Sequence, residues 1–463
     1  MSAQGIGADE RAADSGRRRR PMWLTVVSGA VVALLVAVAA IFAFRADGQP
    51  VHDIALTDGG VWVSGGPTGY WGRVNTGAHG FDLVLHGGGA SAGAKGELRP
   101  DVLQDGRSAV GITSDRRLIA FDSRTGTPIE GELQLPEPSY VTGVDYEKPD
   151  LVAMNGNTIA VVDHDTGRIW AKRLDPKGGT PIDDLMDTGE LDTVGPNASV
   201  TVDLDGDVMA VSADSGTVVE IPAEGEGFGA PERSDLDIDG SRDADITAVG
   251  DTWVVLDLDK GEVHVEGLEE AQPVAGESQK SAGVTMAMAT LQQPGPASDV
   301  VAYQTRERAG YLRVSSDSPG SETDVGVVSG MDDEERRIPH QRISRPVVNG
   351  DCLYAAWGDG SAVRWGAACG AVQTPATQMP VTGKSSRRHC VAVRHNRGQL
   401  ILNDLETGGV YDLSLSGELR IDTWPSDPSD TTAGVWVPTK PAPSTTTRTP
   451  QRSTPKTSTK KTG

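Results

Sequence analysis

Ile159-Ala160-Val161-Val162-Asp163-His164-Asp165-Thr166-Gly167-Arg168-Ile169-Trp170 is the stretch from which the fold is read. A short β-branched run ends in an acidic turn with Thr-Gly, and a second apolar run follows. Such a phrase predicts two antiparallel strands joined by a tight turn, with glycine at a position that demands φ > 0. The phrase returns along the chain. Ile54-Ala55-Leu56-Thr57-Asp58-Gly59-Gly60-Val61-Trp62-Val63 opens the series, and Leu118-Ile119-Ala120-Phe121-Asp122 follows with Gly126. Val208–Val211 leads to Gly216, Trp253–Asp257 to Gly261, Val300–Tyr303 to Gly310, Cys352–Trp357 to Gly360, and Leu400–Asp404 to Gly408. Gly69 serves as the turn of the first unit. From Gly126 onward the turn glycines follow at steps of 41, 49, 45, 49, 50 and 48 residues.

A period of 40–50 residues built from short strands is the signature of β-propeller blades. The apolar runs lack strict alternation, as expected for strands buried on both faces between neighbouring blades. One blade cannot bury both its faces, so the array has to close into a ring. The sequence therefore predicts an all-β ectodomain over residues 48–422, a seven- or eight-bladed β-propeller, with a stack of β-sandwiches as the alternative. The first unit, Ile54 to Asn75, is expected to pair its strands with the last, Leu400 to Leu413, in one sheet.

Composition agrees. Glycine (57) and proline (28) suit many turns, and a 5% aromatic content argues against a helical bundle. A formal charge of −23 excludes an ordinary nucleic-acid binder. Three cysteines exclude both a disulfide-rich scaffold and the paired CxxC zinc families.

Met22 to Phe44 carries no charge and is rich in Val, Ala and Leu; Arg17–Arg20 precede it. At 1.5 Å per residue it is long enough to cross a bilayer. The expectation is one transmembrane helix over 22–44, meeting the lipid bilayer directly. A disordered cytoplasmic tail over 1–21 precedes it, and the rest of the chain lies outside the plasma membrane by the positive-inside rule. The alternative is a cleaved signal peptide ending near Ala37-Val38-Ala39. Residues 423–463 are rich in Pro, Thr, Ser and Lys and carry six cations from Lys440 onward without an acid. This composition predicts a disordered tail, either an extended arm on anionic wall polymer or a plain solvated one.

Several motifs resemble chemistry. His86-Gly87-Gly88-Gly89 matches an oxyanion motif and Gly89-Ala90-Ser91-Ala92-Gly93 a nucleophile elbow. They overlap at Gly89, whereas the two motifs belong on separate strands, so a Gly/Ala-rich connection is the better reading and Ser91→Ala should be silent. Asp203-Leu204-Asp205-Gly206-Asp207 and Asp235–Gly240 resemble the start of a calcium loop, but Ile246 stands where a bidentate Glu belongs. Turn-forming aspartates are the simpler reading. The eight histidines show no metal-ligand spacing. No catalytic, cofactor or metal residue is assigned, and no cofactor is expected. Cys352 and Cys369 flank Gly360 almost symmetrically, and an oxidised pair is expected outside the cell. Cys390 is then left over, or pairs with Cys369 instead.

Asp163–Trp170 is similar to one repeat of the quinoprotein propellers, D-x-x-T-G-x-x-x-W, one residue short before the Trp. This resemblance implies propeller geometry and not a quinone. Gly59–Val63 with Gly72–Asn75, Asn349–Cys352 with Ala355–Trp357, and Asn396–Gly398 with Leu402–Asp404 resemble a family of actinobacterial membrane proteins named fibronectin type III domain-containing proteins. The resemblance covers about residues 17 to 422. It implies one N-terminal membrane helix and a propeller-like extracellular region. Only 44 residues follow Leu419, too few for a fibronectin module. The functional expectation is a non-catalytic scaffold or binding platform whose partner is an envelope protein or cell-wall glycan. A carbohydrate-active protein is the alternative, and a quinoprotein-like oxidoreductase a weaker one.

Overall fold

Strands form where the apolar runs stand, and glycine-bearing turns separate them. The computed structural model describes residues 60 to 424, apart from 77–79, 87–99, 137–150, 239–240, 242, 275–288, 306–307, 315–322, 326–342, 351, 359–361, 366–390, 397, 406, 414–418 and 422–423. All of them belong to one unit beginning at Thr57. Residues 22–44 lie outside the described residues; among those described, no helix is long and apolar enough to cross a membrane.

The strands assemble into consecutive antiparallel meanders. Sheet 1 comprises Val61–Ser64, Tyr70–Asn75 and Gly80–His86. Sheet 2 comprises Asp101–Asp105, Ser108–Ile112, Arg117–Asp122 and Pro128–Gln134. Sheet 3 holds Val152–Asn155, Thr158–Val162, Arg168–Arg173 and Asp192–Thr193. Sheet 4 holds Ala198–Val202, Val208–Ser212, Thr217–Ile221 and Glu232–Asp235. Sheet 5 follows with Ala244–Val249, Thr252–Asp257, Glu262–Val265 and Gln272–Pro273. Sheet 6 has Ala289–Leu291, Val300–Thr305, Ala309–Arg313 and Thr323–Val325. Sheet 7 has Val347–Asn349, Cys352–Ala356 and Ala362–Trp365. Sheet 8 has Val391–Asn396, Gln399–Asp404, Val410–Asp412 and Leu419–Ile421.

Each sheet buries both faces, which is why its sequence reads as a continuous apolar run. In Val208–Ser212 the pleat sends Met209 and Val211 toward Ile246 and Val255 of sheet 5. Val208 and Ala210 face Val162 and Ile169 of sheet 3. The core is thus a series of clusters, one between each sheet and the next. The last joins Ile401, Val410 and Ile421 of sheet 8 to Val61, Val63 and Val74 of sheet 1. A stack of sandwiches has no such closing contact, so the β-sandwich alternative is ruled out.

The closure differs from expectation. The described residues of the first and last units do not share a sheet: Val61–Ser64 pairs with Tyr70–Asn75, and Gln399–Asp404 pairs within sheet 8. Ile54–Leu56 lie outside the described residues. Sheets 1 and 8 meet face to face, with the side chain of Asn403 bonding both Ser64 N (2.8 Å) and Ser64 O (2.9 Å). Trp424 laps over the joint, donating from Nε1 to Gly408 O (2.7 Å) and packing on Phe81 and Tyr70.

The turn series also needs correction. Gly167, Gly216, Gly261 and Gly408 each close the turn between second and third strands with φ of 60–74°. The glycine N–H donates to the carbonyl four residues back, as from Gly167 to Asp163 O (2.7 Å). A Cβ at Gly167 would lie 2.0 Å from Gly195 O, so no other residue fits there. Gly69 ends a short 3₁₀ turn in sheet 1. Gly126, by contrast, sits between the third and fourth strands of sheet 2. The equivalent left-handed position in sheet 2 is held by Arg116 at φ 67°. Thr113 compensates: its backbone accepts Arg116 N–H (3.0 Å) and its hydroxyl accepts Arg117 N–H (2.9 Å). Gly310 is no turn residue at all. It lies within Ala309–Arg313, opposite Tyr303, whose ring occupies the space a Cβ would need. Gly360 lies outside the described residues.

Candidate functional site

A propeller gathers its innermost strands around one axis, so side chains there meet others distant in sequence. Three cross-ties join sheets that are not neighbours. Arg345, just before sheet 7, pairs with Asp245 of sheet 5, passing over sheet 6, where its guanidinium also donates to Leu291 O (3.4 Å) and Gln292 O (3.3 Å). Asp245 further accepts Leu291 N–H (2.8 Å) and the Thr290 hydroxyl (2.9 Å). Arg394 of sheet 8 pairs with Asp101 of sheet 2, passing sheet 1, and donates to Val102 O (2.7 Å). Gln293 donates from Nε2 to Val393 O (2.6 Å), linking sheets 6 and 8. The Arg345–Asp245 pair is largely buried, a setting in which removing one partner strands the other's charge.

These residues escaped the reading of the sequence. The available signal was a charge inside an innermost apolar strand: Asp245 in Ala244–Val249, and Arg394 in Val391–Asn396.

One rim of the ring is acidic. Asp203–Asp207 forms the hairpin between the first two strands of sheet 4. The Asp203 carboxylate accepts three N–H groups of its own turn, from Asp205 (3.0 Å), Gly206 (2.7 Å) and Asp207 (2.8 Å). This is the turn-forming role, and burial pushes the Asp203 carboxyl up. Leu204, at the turn's tip, is 46% exposed. Nearby, Glu220 is pushed up to about 7, first by burial and then by the charges of Glu266, Asp207, Glu232 and Asp203. Glu266 is also raised, chiefly by burial, and its carboxylate accepts Trp253 N–H (3.3 Å).

The remaining motifs disperse. His86 ends the third strand of sheet 1, its ring 5.0 Å from that of Tyr70, and burial lowers its pKa. Gly87 to Gly93, including Ser91, lie outside the described residues. Asp235 ends the outer strand of sheet 4, and Asp237 O accepts the Lys260 ammonium (2.6 Å), while Asp239 and Gly240 lie outside the described residues. In Asp163–Trp170 the Thr166 hydroxyl donates to the Asp163 carboxylate (2.7 Å), and Trp170 is buried under the Arg168 guanidinium at 5.1 Å. The motif is a turn, and Asp404 with Thr407 repeats it. Cys352 is disulfide-bonded; Cys369 and Cys390 lie outside the described residues. Among the described residues no group of His, Cys, Asp and Glu is arranged to hold a metal ion.

Successive meanders, a core divided between neighbouring sheets, and a last sheet packed on the first define an all-β protein of the β-propeller type. No protein-family model matches the sequence, and no curated protein matches it. Solved structures similar to the chain include BamB from Moraxella catarrhalis, 14% identical, covering 76% of this chain and 90% of that one, with a TM-score of 0.43. Dihydro-heme d1 dehydrogenase NirN is 13% identical over 78% of this chain and 72% of its own, with a TM-score of 0.45. Apo AztD from Citrobacter koseri is 10% identical over 78% and 94%, with a TM-score of 0.41.

Proposed function

We propose that this chain is an eight-bladed, non-catalytic propeller platform at the cell envelope, held to the plasma membrane by residues 22–44 and recruiting an envelope protein through the rim of its ring. The observation that carries the reading is the state of the axis. Arg345, Asp245, Arg394, Asp101 and Gln293 are bonded to one another's strands. These five polar side chains are therefore committed to holding the ring. Recognition then falls to the rim, where Leu204 stands exposed on an acidic turn. Among the described residues, eight sheets of three or four strands, beside one two-stranded ribbon (Ala223–Glu224 with Gly227–Phe228), support the count of eight blades.

The Cys352–Cys369 pairing belongs to the same proposal. Leu353, next to Cys352, pairs with Trp365, which stands four residues before Cys369 in the sequence. Non-reducing peptide mapping should recover the Cys352 and Cys369 peptides linked.

The test of the platform is a photo-crosslinking amino acid in place of Leu204, with Ser234 on the outer strand as the comparison, in intact cells. A discrete adduct from position 204 and none from 234 is expected. Equal labelling, or none at either, refutes rim recognition.

A further inference from the structure

The inner edge of Val61–Ser64 is covered by side chains that imitate a strand. Gly60 O accepts Gln104 Nε2 (3.2 Å) and Asn396 Nδ2 (2.7 Å). Trp62 N–H donates to Gln104 Oε1 (3.1 Å). Ser64 is bonded through both N–H and C=O to the Asn403 carboxamide. Every second residue is therefore capped on the side facing away from Tyr70–Asn75, which is the spacing at which a backbone ladder would bond.

Direction adds to this. Gly60 sits beside Gln104 and Asn396, at the hairpin ends of the innermost strands of sheets 2 and 8. Ser64 sits beside Pro100, where the first strand of sheet 2 begins, with its hydroxyl on Pro100 O (2.6 Å). Val61–Ser64 thus runs opposite to those innermost strands. That is the direction of a second strand, and among the described residues no strand lies inside it.

The sequence just upstream carries the matching turn. In sheets 2, 3 and 7 the first hairpin has a two-residue loop, flanked by the pairs Asp105–Ser108, Asn155–Thr158 and Asn349–Cys352. Asp58-Gly59 is a favoured two-residue loop of the same kind. It would set Thr57 opposite Gly60, Ala55 opposite Trp62 and Asp53 opposite Ser64. These are the three residues whose edge groups now rest on carboxamides.

We infer that the seam has two states: the amide-capped edge, and one in which Ile54–Thr57 adds as the innermost strand of sheet 1, displacing Gln104, Asn396 and Asn403. Carboxamides carry the peptide's own donor and acceptor, so they hold the edge satisfied until the strand arrives. Insertion converts side-chain contacts into a continuous ladder and ties the chain upstream of residue 53 to the ring at its joint. The occupant is this chain's own segment, because its turn and its register fit the edge without adjustment.

Hydrogen exchange on the full-length chain in detergent micelles tests this by reading the amides of Ala55 and Thr57, which would face Trp62 and Gly60. Exchange at least 100-fold slower than the unstructured rate, independent of protein concentration, is expected at both. Ala55→Pro, which removes the N–H facing Trp62, should abolish the protection at Thr57 and leave sheets 4 and 5 unchanged. Exchange of Ala55 and Thr57 at the unstructured rate in the unaltered chain overturns the inference whether or not the variant folds. Protection that appears only as concentration rises also overturns it, since a second copy is then the occupant.

Discussion

Sheets 4 and 5 are joined differently from sheets 8 and 1, and the contrast shows which part of a ring is demanding. Between sheets 4 and 5 the contact is a dense apolar layer, with Met209, Val211, Ile246 and Val255 at zero exposure. A polar link across it is Ser199, whose hydroxyl donates to Ala244 O (2.9 Å). Between sheets 8 and 1 the apolar layer is thinner, and Asn396, Asn403 and Trp424 add polar and aromatic contacts across it. Neighbours in sequence meet with little loss of chain entropy. The first and last sheets meet only when everything between them has already been ordered. Directional hydrogen bonds at that joint fix a register that apolar contact alone leaves loose.

The most drastic way to break the contrast is to remove one side of the joint. Deleting residues 48–76 takes away two strands of sheet 1 and with them its contacts to both sheet 8 and sheet 2. In a closed ring every interface depends on closure, so the denaturation midpoint of the whole ring should fall. An open repeat array would lose only its terminal unit, keeping its midpoint with a proportionately smaller m-value. Denaturant melting of residues 48–422 with and without the segment separates the two.

A smaller effect is expected from the axis, which touches neither joint alone. Arg345→Ala leaves Asp245 largely buried without its cation. A loss of about 3 kcal/mol follows, as for a buried pair with one partner removed. Asp245 keeps its bonds from Leu291 N–H and Thr290, so Asp245→Asn with Arg345→Met should recover much of that loss. A double-mutant cycle by urea melting checks it; additive effects would deny the pair its role as a cross-tie.

Much of this was legible in the sequence, for a physical reason. A strand buried on both faces must be apolar at every position, and a tight turn must have a residue that tolerates φ > 0. Both demands leave marks at fixed spacing. The marks mislead where another residue meets the demand. Arg116 takes the left-handed position of sheet 2, so Gly126, one turn further on, was mistaken for its equivalent. Gly310 is small because Tyr303 lies across it, not because the chain turns. The cross-tie was not legible, because Arg345 and Asp245 stand 100 residues apart and only the packing of sheets 5, 6 and 7 brings them together. Asn403, which reads as a turn residue beside Asp404, is a seam residue because of what faces it, and no local pattern announces that.

The smallest expected effect concerns the rim of sheets 4 and 5, where Glu220 stands among other acids. Glu220 lies opposite Glu232 on the outer strand and Met209 on the inner one. Glu266, Asp207 and Asp203 add their charges. Burial and these neighbours raise its carboxyl from 4.5 to about 7. The folded chain therefore binds a proton that the unfolded chain releases between those two values. Stability from this group is fully present below pH 4.5, falls as the pH rises through the window, and is gone above 7. Glu220→Gln keeps the shape and removes the titration. The variant should match the natural chain at pH 4 and exceed it at pH 8 by about 1 kcal/mol, allowing for solvent screening of a half-buried group. Thermal melts of the two propeller domains from pH 4 to 8 give the answer. Parallel melting curves across that range would show that Glu220 ionises without strain, and that the rim of sheets 4 and 5 tolerates its charge as easily as the seam tolerates its amides.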